Sequence, residues 1–298
     1  MNRALPIKTI TNGLPSKEEF KLLHRNNPTI ICDGLKEHPC QNLSLELILS
    51  LFGDQKVSYS KYLDGGETKE CTLSYFVNNF FLPHIKSTKE AVRAFEAKSV
   101  PNLIDILIPP SFCEDWFDDH FSKLWRDNIV NLERHLWLFI SQEDSLSSFH
   151  QDHHAVHTCL MQIEGKKEVV LFNPEESEKI CNIQSDEIFS IEMPKRGLGP
   201  NIKFNDKNLL KAEREEYFSN YQPYYSVLKK GEVLYIPSGW GHFVKTIDRS
   251  ITFSRDMIDE RNADEYFFSY LSESVSDARE NKHNSFQNTH ERKSFTTH

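Results

Sequence analysis

The stretch Ser147–Val156, SSFHQDHHAV, sets His150 and Asp152 two residues apart behind a pair of serines. On an extended strand, residues i and i+2 point to the same face, so this imidazole and this carboxylate could reach one ion together. By itself the pair is weak evidence. With 13 histidines and 44 acidic residues in 298, about two His-x-Asp or His-x-Glu pairs arise by chance, and a polar strand end is the simpler account. A second stretch changes the balance: YIPSGWGHFVKTI places His242 just after a tight turn, at the head of another strand-like run. Two histidines and one carboxylate occupy one face of an octahedral ion and leave three positions open, the donor set of non-haem Fe(II) oxygen chemistry. Lys167, in EGKKEVVLF, lies on the next strand but one. A lysine buried between strands needs an anion, and a dicarboxylic cosubstrate would supply it.

These residues need a rigid β frame. From Arg134 onward the chain reads as short β-rich segments broken by Gly, Pro, Asn or Asp: RHLWLFIS, SSFHQDHHAV, HTCLMQIEG, KKEVVLFNP, DEIFSIEM, YYSVLKKGEVLYIP, GHFVKTI and SITFSRDM. Such a succession predicts an antiparallel sandwich or barrel. The polar stretch 195–222 interrupts it and reads as an insertion with some helix. Residues 1–133 read as a mixed α/β segment flanking a β core at 134–258. Ser16 and Glu19 have capping-box spacing, PTIICDGL is a strand closed by Gly34, and LSLELILSLFG is a helix stopping at Gly53 in a C′ role. KVSYSKYL alternates as a strand, Thr72 caps LSYFVNNFF, and TKEAVRAFEAK has good helix propensity. Within 259–281 a last helix carries Tyr266, Phe267, Tyr270 and Leu271 on one face, expected to be covered by the core or by a second copy. Residues 282–298 are polar, lack periodicity and are expected to be disordered.

Composition narrows the function classes. A net charge of −9 argues against a nucleic-acid partner. The first twenty residues lack the apolar core of a secretory signal, and no apolar run reaches the length of a membrane span. Cys32, Cys40, Cys71, Cys113, Cys159 and Cys181 are scattered without a C-x-x-C pair. Reduced thiols and a cytoplasmic location are the expectation.

Taken together, the motifs resemble the JmjC-domain (cupin-like) Fe(II)/2-oxoglutarate oxygenases, and among them the small hydroxylases rather than the multidomain demethylases. The resemblance covers roughly residues 16 to 258. EEFKLLHRNNPTIICDGLKEHP is similar to the family's entry segment and LIDILIPPSFCEDWF to its Pro-rich turn. SSFHQDHHAV, the G-x-K of EGKKEVVLFNP, and LKKGEVLYIPSGWGHFV follow in the family's order. The fold implied is mainly β with flanking helices, a double-stranded β-helix (jelly-roll) barrel. The resemblance places His150, Asp152 and His242 on the iron ligands and Lys167 on the lysine that pairs with the distal carboxylate of 2-oxoglutarate. Ser147 falls where the family usually has a threonine bonding that carboxylate, and Ser254 on a hydroxyl lining the same pocket. The implied cofactors are Fe(II), 2-oxoglutarate and O2. The implied reaction is hydroxylation of a C–H bond, with release of succinate and CO2. A polypeptide side chain is the expected substrate, with a small molecule left open, and two copies are expected to pair through the C-terminal helix. Two departures stand out. Gly241 replaces a second aromatic, which predicts a more open wall near His242, and Ser147 lacks the methyl of the usual threonine. The tyrosine that often completes the cosubstrate site has no counterpart that can be placed.

Simpler readings compete at other positions. His153, His154 and His157 mimic a second metal motif but are expected to be exposed or hydrogen-bonded. Lys166 alternates away from Lys167 and is expected to be solvated. Trp240 reads as turn packing, Trp137 as core that could border a substrate, and KAEREEYF as a solvated helix face. Three other functions stay open. One is N-methyl-lysine or -arginine demethylation by the same chemistry, disfavoured by the lack of a reader domain or zinc finger. Another is a catalytically silent cupin-type binding module, disfavoured by the full ligand set. The third is a metal-dependent cupin that uses no 2-oxoglutarate, disfavoured by Lys167.

Overall fold

A computed structural model describes residues 5–61, 68–83, 92–95, 106–122, 135–143, 145–181, 189–192, 201–204, 221–270 and 272. The N-terminal part runs β1 (Leu5–Pro6), β2 (Lys8–Ile10), α1 (Lys17–Leu23), β3 (Thr29–Ile31), α2 (Leu45–Phe52), β4 (Lys56–Lys61), β5 (Thr68–Thr72), α3 (Leu73–Phe76), β6 (Val92–Phe95) and α4 (Trp116–Asp119). There follow β7 (Leu136–Ser141), β8 (Leu146–His150), β9 (His157–Glu164), β10 (Lys166–Phe172), α5 (Pro174–Cys181), β11 (Phe189–Glu192) and β12 (Asn201–Phe204). The last strands are β13 (Tyr224–Lys229), β14 (Val233–Ile236), β15 (Gly241–Thr246) and β16 (Ser250–Met257).

The strands make two sheets. One has the order β1-β13-β10-β15-β8-β12-β11, the other β2-β3-β14-β9-β16-β7-β6-β4-β5. Apart from the short parallel pairs β1·β13 and β2·β3, neighbours run antiparallel. The chain is mainly β with flanking helices, as a jelly roll requires.

Strand parity decides what each face of the nine-stranded sheet meets. Odd residues of β9 and β16, such as Cys159, Met161, Ile251 and Phe253, join a large apolar cluster with Phe20 of α1, Ile48 of α2 and Phe76 of α3. This outer face is where the N-terminal helices dock. The even residues face the other sheet. There Leu160 of β9 and Leu234 of β14 pack with Val169 of β10 and Val244 of β15. Arg255, on the outer side and 1% exposed, pins α4 by donating to Asp115 Oδ2 and Asp118 Oδ2 at 2.8 and 2.7 Å.

Several local expectations meet the structure directly. The Ser16 hydroxyl accepts from the Glu19 amide at 3.1 Å, Ser44 caps α2, and Thr72 caps α3. Gly53 is a correction: it ends α2 with φ −55°, in the right-handed region. Its reason is space, since a Cβ there would lie 2.4 Å from Ser74 Oγ and 2.5 Å from Leu49 O. TKEAVRAFEAK is another correction, because Val92–Phe95 form β6 between β4 and β7. A vacant pairing slot on both sides outweighs a helix propensity worth a few tenths of a kcal/mol per residue, on the order of 1 kcal/mol over so short a segment. Within 195–222, Asn201–Phe204 are strand, and the expected helix falls outside the described residues.

The C-terminal helix begins at residue 263. Tyr266 and Tyr270 are buried within the chain, in a cluster with Phe117, Val156 and Ile258. Phe267 packs edge-on against Phe121, whereas Phe268 is 77% exposed. The aromatic face thus finds its cover on the chain's own core, and Leu271 and the tail after 281 lie outside the described residues. Cys32, Cys40, Cys71, Cys113 and Cys159 are free thiols. No helix among the described residues is long and apolar enough to cross a membrane.

Candidate metal centre

Two strand ends build the site. β15 pairs antiparallel with β8 so that His242 lies opposite His150, and the two rings stand 4.3 Å apart, centroid to centroid. Asp152 lies just past the end of β8. The strand stops at His150, and Asp152 is instead the extended residue (φ −65°, ψ 147°) that enters a short turn at His153–Ala155. The expectation of one continuous strand through both ligands is therefore corrected, though the extended backbone still delivers the carboxylate. In the turn, His154 and Ala155 adopt positive φ, 54° and 52°. It is held from the C-terminal segment: Asn262 donates to Ala155 O at 2.7 Å, and His154 Nδ1 is 2.9 Å from Ser269 Oγ.

Asp152 Oδ1 lies 3.7 Å from His150 Nε2 and 3.8 Å from His242 Nε2. One donor atom from each residue falls within 4.8 Å of the others, the one such group among the described residues. For a first-row ion with bonds of about 2.1 Å, adjacent donors on an octahedral face sit about 3 Å apart. The two carboxylate–imidazole gaps need to close by less than 1 Å, and all three donors already lie within 4.8 Å of one another, so this donor set fits a divalent ion. His242 is already oriented: its Nδ1 is 3.2 Å from Trp240 O, to which it donates, leaving the Nε2 lone pair toward Asp152. Gln151 donates to Gly239 O at 2.7 Å and ties the end of β8 to the turn that precedes His242. Burial alone would raise the Asp152 carboxyl. The imidazoles of His242 and His150 and the Thr158 hydroxyl outweigh it and hold it below the usual carboxylate range.

Lys167 shares its strand face with Val169 and Leu171, both packed between the sheets, so its side chain enters the same interior. It is 6% exposed, and its ammonium sits 5.4 Å from the centre of the Phe139 ring on the opposite sheet. Ser147 reaches that interior through an irregularity. Three residues from His150, it would face away in a regular strand. A register shift between His242 and Val244 sets Ser147 opposite Val244, an inward-facing residue. Ser254 lies between Thr252 and Asp256 on the inward parity of β16 and is 3% exposed.

The open wall expected at Gly241 is corrected. Gly241 has the opposite parity to His242, and a Cβ there would stand 2.2 Å from the Phe149 ring and 2.6 Å from Ser177 Oγ on the outside of the sheet. The missing side chain makes room for Phe149 and has no bearing on the pocket. The other histidines have partners elsewhere: His157 accepts from the Ser238 amide at 2.8 Å and meets Asp259 at 3.2 Å. Lys166 pairs with Asp248 at 3.2 Å in solvent.

Two neighbours of the site escaped the sequence reading. Thr158 Oγ1 lies 2.7 Å from Asp152 Oδ2 and 3.1 Å from Asp256 Oδ1. Parity on β16 was the available signal, because Asp256 is two residues beyond Ser254 on the same face.

Comparison with known proteins agrees with this architecture. The chain is 25% identical over 270 residues to JmjC domain-containing protein D of Dictyostelium discoideum, covering 85% of this chain and 56% of that one. It is 23% identical over 247 residues to JmjC domain-containing protein A of the same organism, covering 80% and 91%. The 2-oxoglutarate and iron-dependent oxygenase JMJD4 of Mus musculus is 23% identical over 167 residues, which are 55% of this chain and 34% of that protein. The chain thus spans about half the length of protein D and a third of JMJD4. The family profile described as "Cupin-like domain" matches residues 15–268, and the chain belongs to that family.

Proposed function

We propose that this protein is an Fe(II)- and 2-oxoglutarate-dependent oxygenase that hydroxylates a C–H bond of a polypeptide side chain. The observation that carries the reading is the convergence of His150, Asp152 and His242 beside the interior between the two sheets, which also takes up a buried lysine. When bound there, Fe(II) and 2-oxoglutarate supply the oxidising chemistry, which consumes O2, releases succinate and CO2 and places one oxygen atom on the substrate.

The chain's own residues do the positioning. Lys167 pairs with Thr246 across β10 and β15, while His242 lies opposite Leu171. Four residues of strand separate the two levels, about 13 Å at 3.3 Å per residue. A lysine side chain and a short dicarboxylate together span that gap. In the low-dielectric interior the Lys167 ammonium favours a carboxylate partner through charge-assisted hydrogen bonds, with Ser147 and Ser254 offering hydroxyls to the same anion. The apolar lining from Leu160, Val169 and Val244 limits water. The JMJD4 relatives from mouse and Danio rerio are named as 2-oxoglutarate and iron-dependent oxygenases, which supports the iron and 2-oxoglutarate part of the reading.

The test is to load the protein with Fe(II), add 2-oxoglutarate with unmodified and N-methylated peptides, and follow succinate and peptide mass together. Hydroxylation gains one oxygen atom on an unmodified peptide, whereas loss of a methyl group from the methylated one would assign demethylation instead. Asp152→Ala removes the charged ligand and should abolish succinate formation. Unchanged metal content and succinate yield in that variant would remove the metal centre from the reaction.

A further inference from the structure

One hydroxyl sits between two carboxylates beside the metal centre. Thr158 Oγ1 is 2.7 Å from Asp152 Oδ2 and 3.1 Å from Asp256 Oδ1. A hydroxyl carries a single proton, and an ionised carboxylate can only accept. Two ionised acids around Thr158 would therefore leave one oxygen–oxygen contact with no proton in it, in an interior where such a defect is costly. The contacts close if one acid keeps its proton. Asp152 makes the shorter contact and, as a metal ligand, is the acid that must be ionised, so it is the anion.

Asp256 has the surroundings of the neutral acid. Its side chain is 14% exposed. Burial and the neighbouring Asp152 charge push its carboxyl well above the usual range, against the hydrogen bonds of Thr158 and the Trp137 indole and the charge of Arg255. Among the described residues, the cationic candidates beside it are His135 and Arg255. His135 Nδ1 stands 3.7 Å from Asp256 Oδ2, beyond hydrogen-bond length, while its Nε2 is 2.9 Å from the buried Tyr266 hydroxyl. The Arg255 guanidinium, one residue away, turns to the outer face and its own pair of aspartates.

We propose that Asp256 is a positioning residue for the metal ligand: its carboxyl O–H donates to Thr158 Oγ1, which commits the one Thr158 proton to Asp152 Oδ2. Asp152 Oδ1 is then left aimed between His150 and His242, at 3.7 and 3.8 Å from their Nε2 atoms. Outer partners of this kind fix a ligand's rotamer, and their removal typically lowers metal affinity about 10- to 100-fold. The inference rests on Asp152 serving as a metal ligand, as proposed above.

Mn(II) titration of the full chain by calorimetry, with melting temperature as the check on folding, tests both layers separately. Thr158→Val, nearly isosteric, should weaken Mn(II) by about 10-fold or more, and Thr158→Ser should restore it. Asp256→Ala should weaken it similarly. Asp256→Asn, a neutral donor of the same shape, should bind within about twofold of wild type, because no charge is lost. If Asp256→Asn falls as far as Asp256→Ala, the residue acts as an anion and the proposal is overturned. If Thr158→Val binds like wild type, the proposal fails while the metal centre stands. Absence of one-to-one Mn(II) binding by wild type itself would instead remove the metal centre. Should Asp256→Ala unfold, the Thr158→Val and Asp256→Asn pair still decides.

Discussion

The two faces of the nine-stranded sheet are made by the same strands and could hardly differ more. On the outer parity, Cys159, Met161, Ile251 and Phe253 meet N-terminal helices in a dry aliphatic and aromatic cluster. On the inner parity of the same two strands stand Thr158, Gln162, Thr252, Ser254 and Asp256. Four of these are linked by hydrogen bonds, Thr252 to Gln162 at 2.8 Å and Thr158 to Asp256 at 3.1 Å. In a two-layer fold the interior between the sheets is expected to be the main hydrophobic core. Here much of the stabilising burial has moved to the outside, under the helices, which leaves the interior of the jelly roll free to be polar. A segment that flanks the core in sequence is thus what allows the core to carry chemistry.

That division predicts separable damage. Phe253→Ala opens a cavity in the outer cluster, where the ring is fully buried, and should cost about 3–5 kcal/mol of stability. Mn(II) affinity of the folded fraction should stay at the wild-type value, because the residue faces away from the site. A denaturant melt and a metal titration on the same sample check both halves, and a loss of metal affinity without loss of stability would break the division.

Lys167→Ala should act in the opposite way. It removes one partner of a buried charge-assisted pair and should weaken 2-oxoglutarate by about 30- to several-thousand-fold, or about 2–5 kcal/mol. Metal binding should remain, since Lys167 is four strand positions from the level of His242. An unchanged 2-oxoglutarate affinity would place the cosubstrate elsewhere.

Parity also explains what the sequence did and did not disclose. The alternation in HTCLMQIEG and SITFSRDM was visible, and with it the strands, while the pocket position of Ser254 came from the family resemblance. The spacing of His150 from Asp152 and the turn before His242 pointed to a metal site, and the family resemblance was needed to set all three on one ion. The sequence could not show that β8 ends before Asp152, because that depends on the turn's tertiary ties to Asn262 and Ser269. Nor could it show that Ser147 turns inward, which needs a bulge set by pairing with β15. TKEAVRAFEAK misled for the same reason: two neighbouring strands outbid a local propensity. Asp256 shares the parity of Ser254, but an acid outside any motif reads as an ordinary polar position.

The smallest effect concerns protons on the outer side, which is dry but holds three buried histidines. His24, His38 and His157 are 8%, 7% and 3% exposed. Burial is the main cause that lowers each of their pKa values. His38 accepts from the Cys40 amide through Nδ1 and donates to Ile108 O through Nε2, the pattern of a neutral ring. His157 accepts from the Ser238 amide through Nδ1, which leaves Nε2–H to donate to Asp259. An unfolded chain takes up these protons near the ordinary value of about 6.5, before the folded one does. Stability contributed by neutral histidine is therefore whole above that pH, and is lost as the pH falls from there through the lowered folded values. Each group contributes at most about 1.4 kcal/mol per pH unit in that window. The melting temperature should be flat from pH 8 to 7 and fall between pH 6.5 and 5 in wild type. His157→Gln keeps an acceptor and a donor without titrating, so it should shallow that fall. An acid slope matching wild type would remove His157 from the groups that set the acid limit.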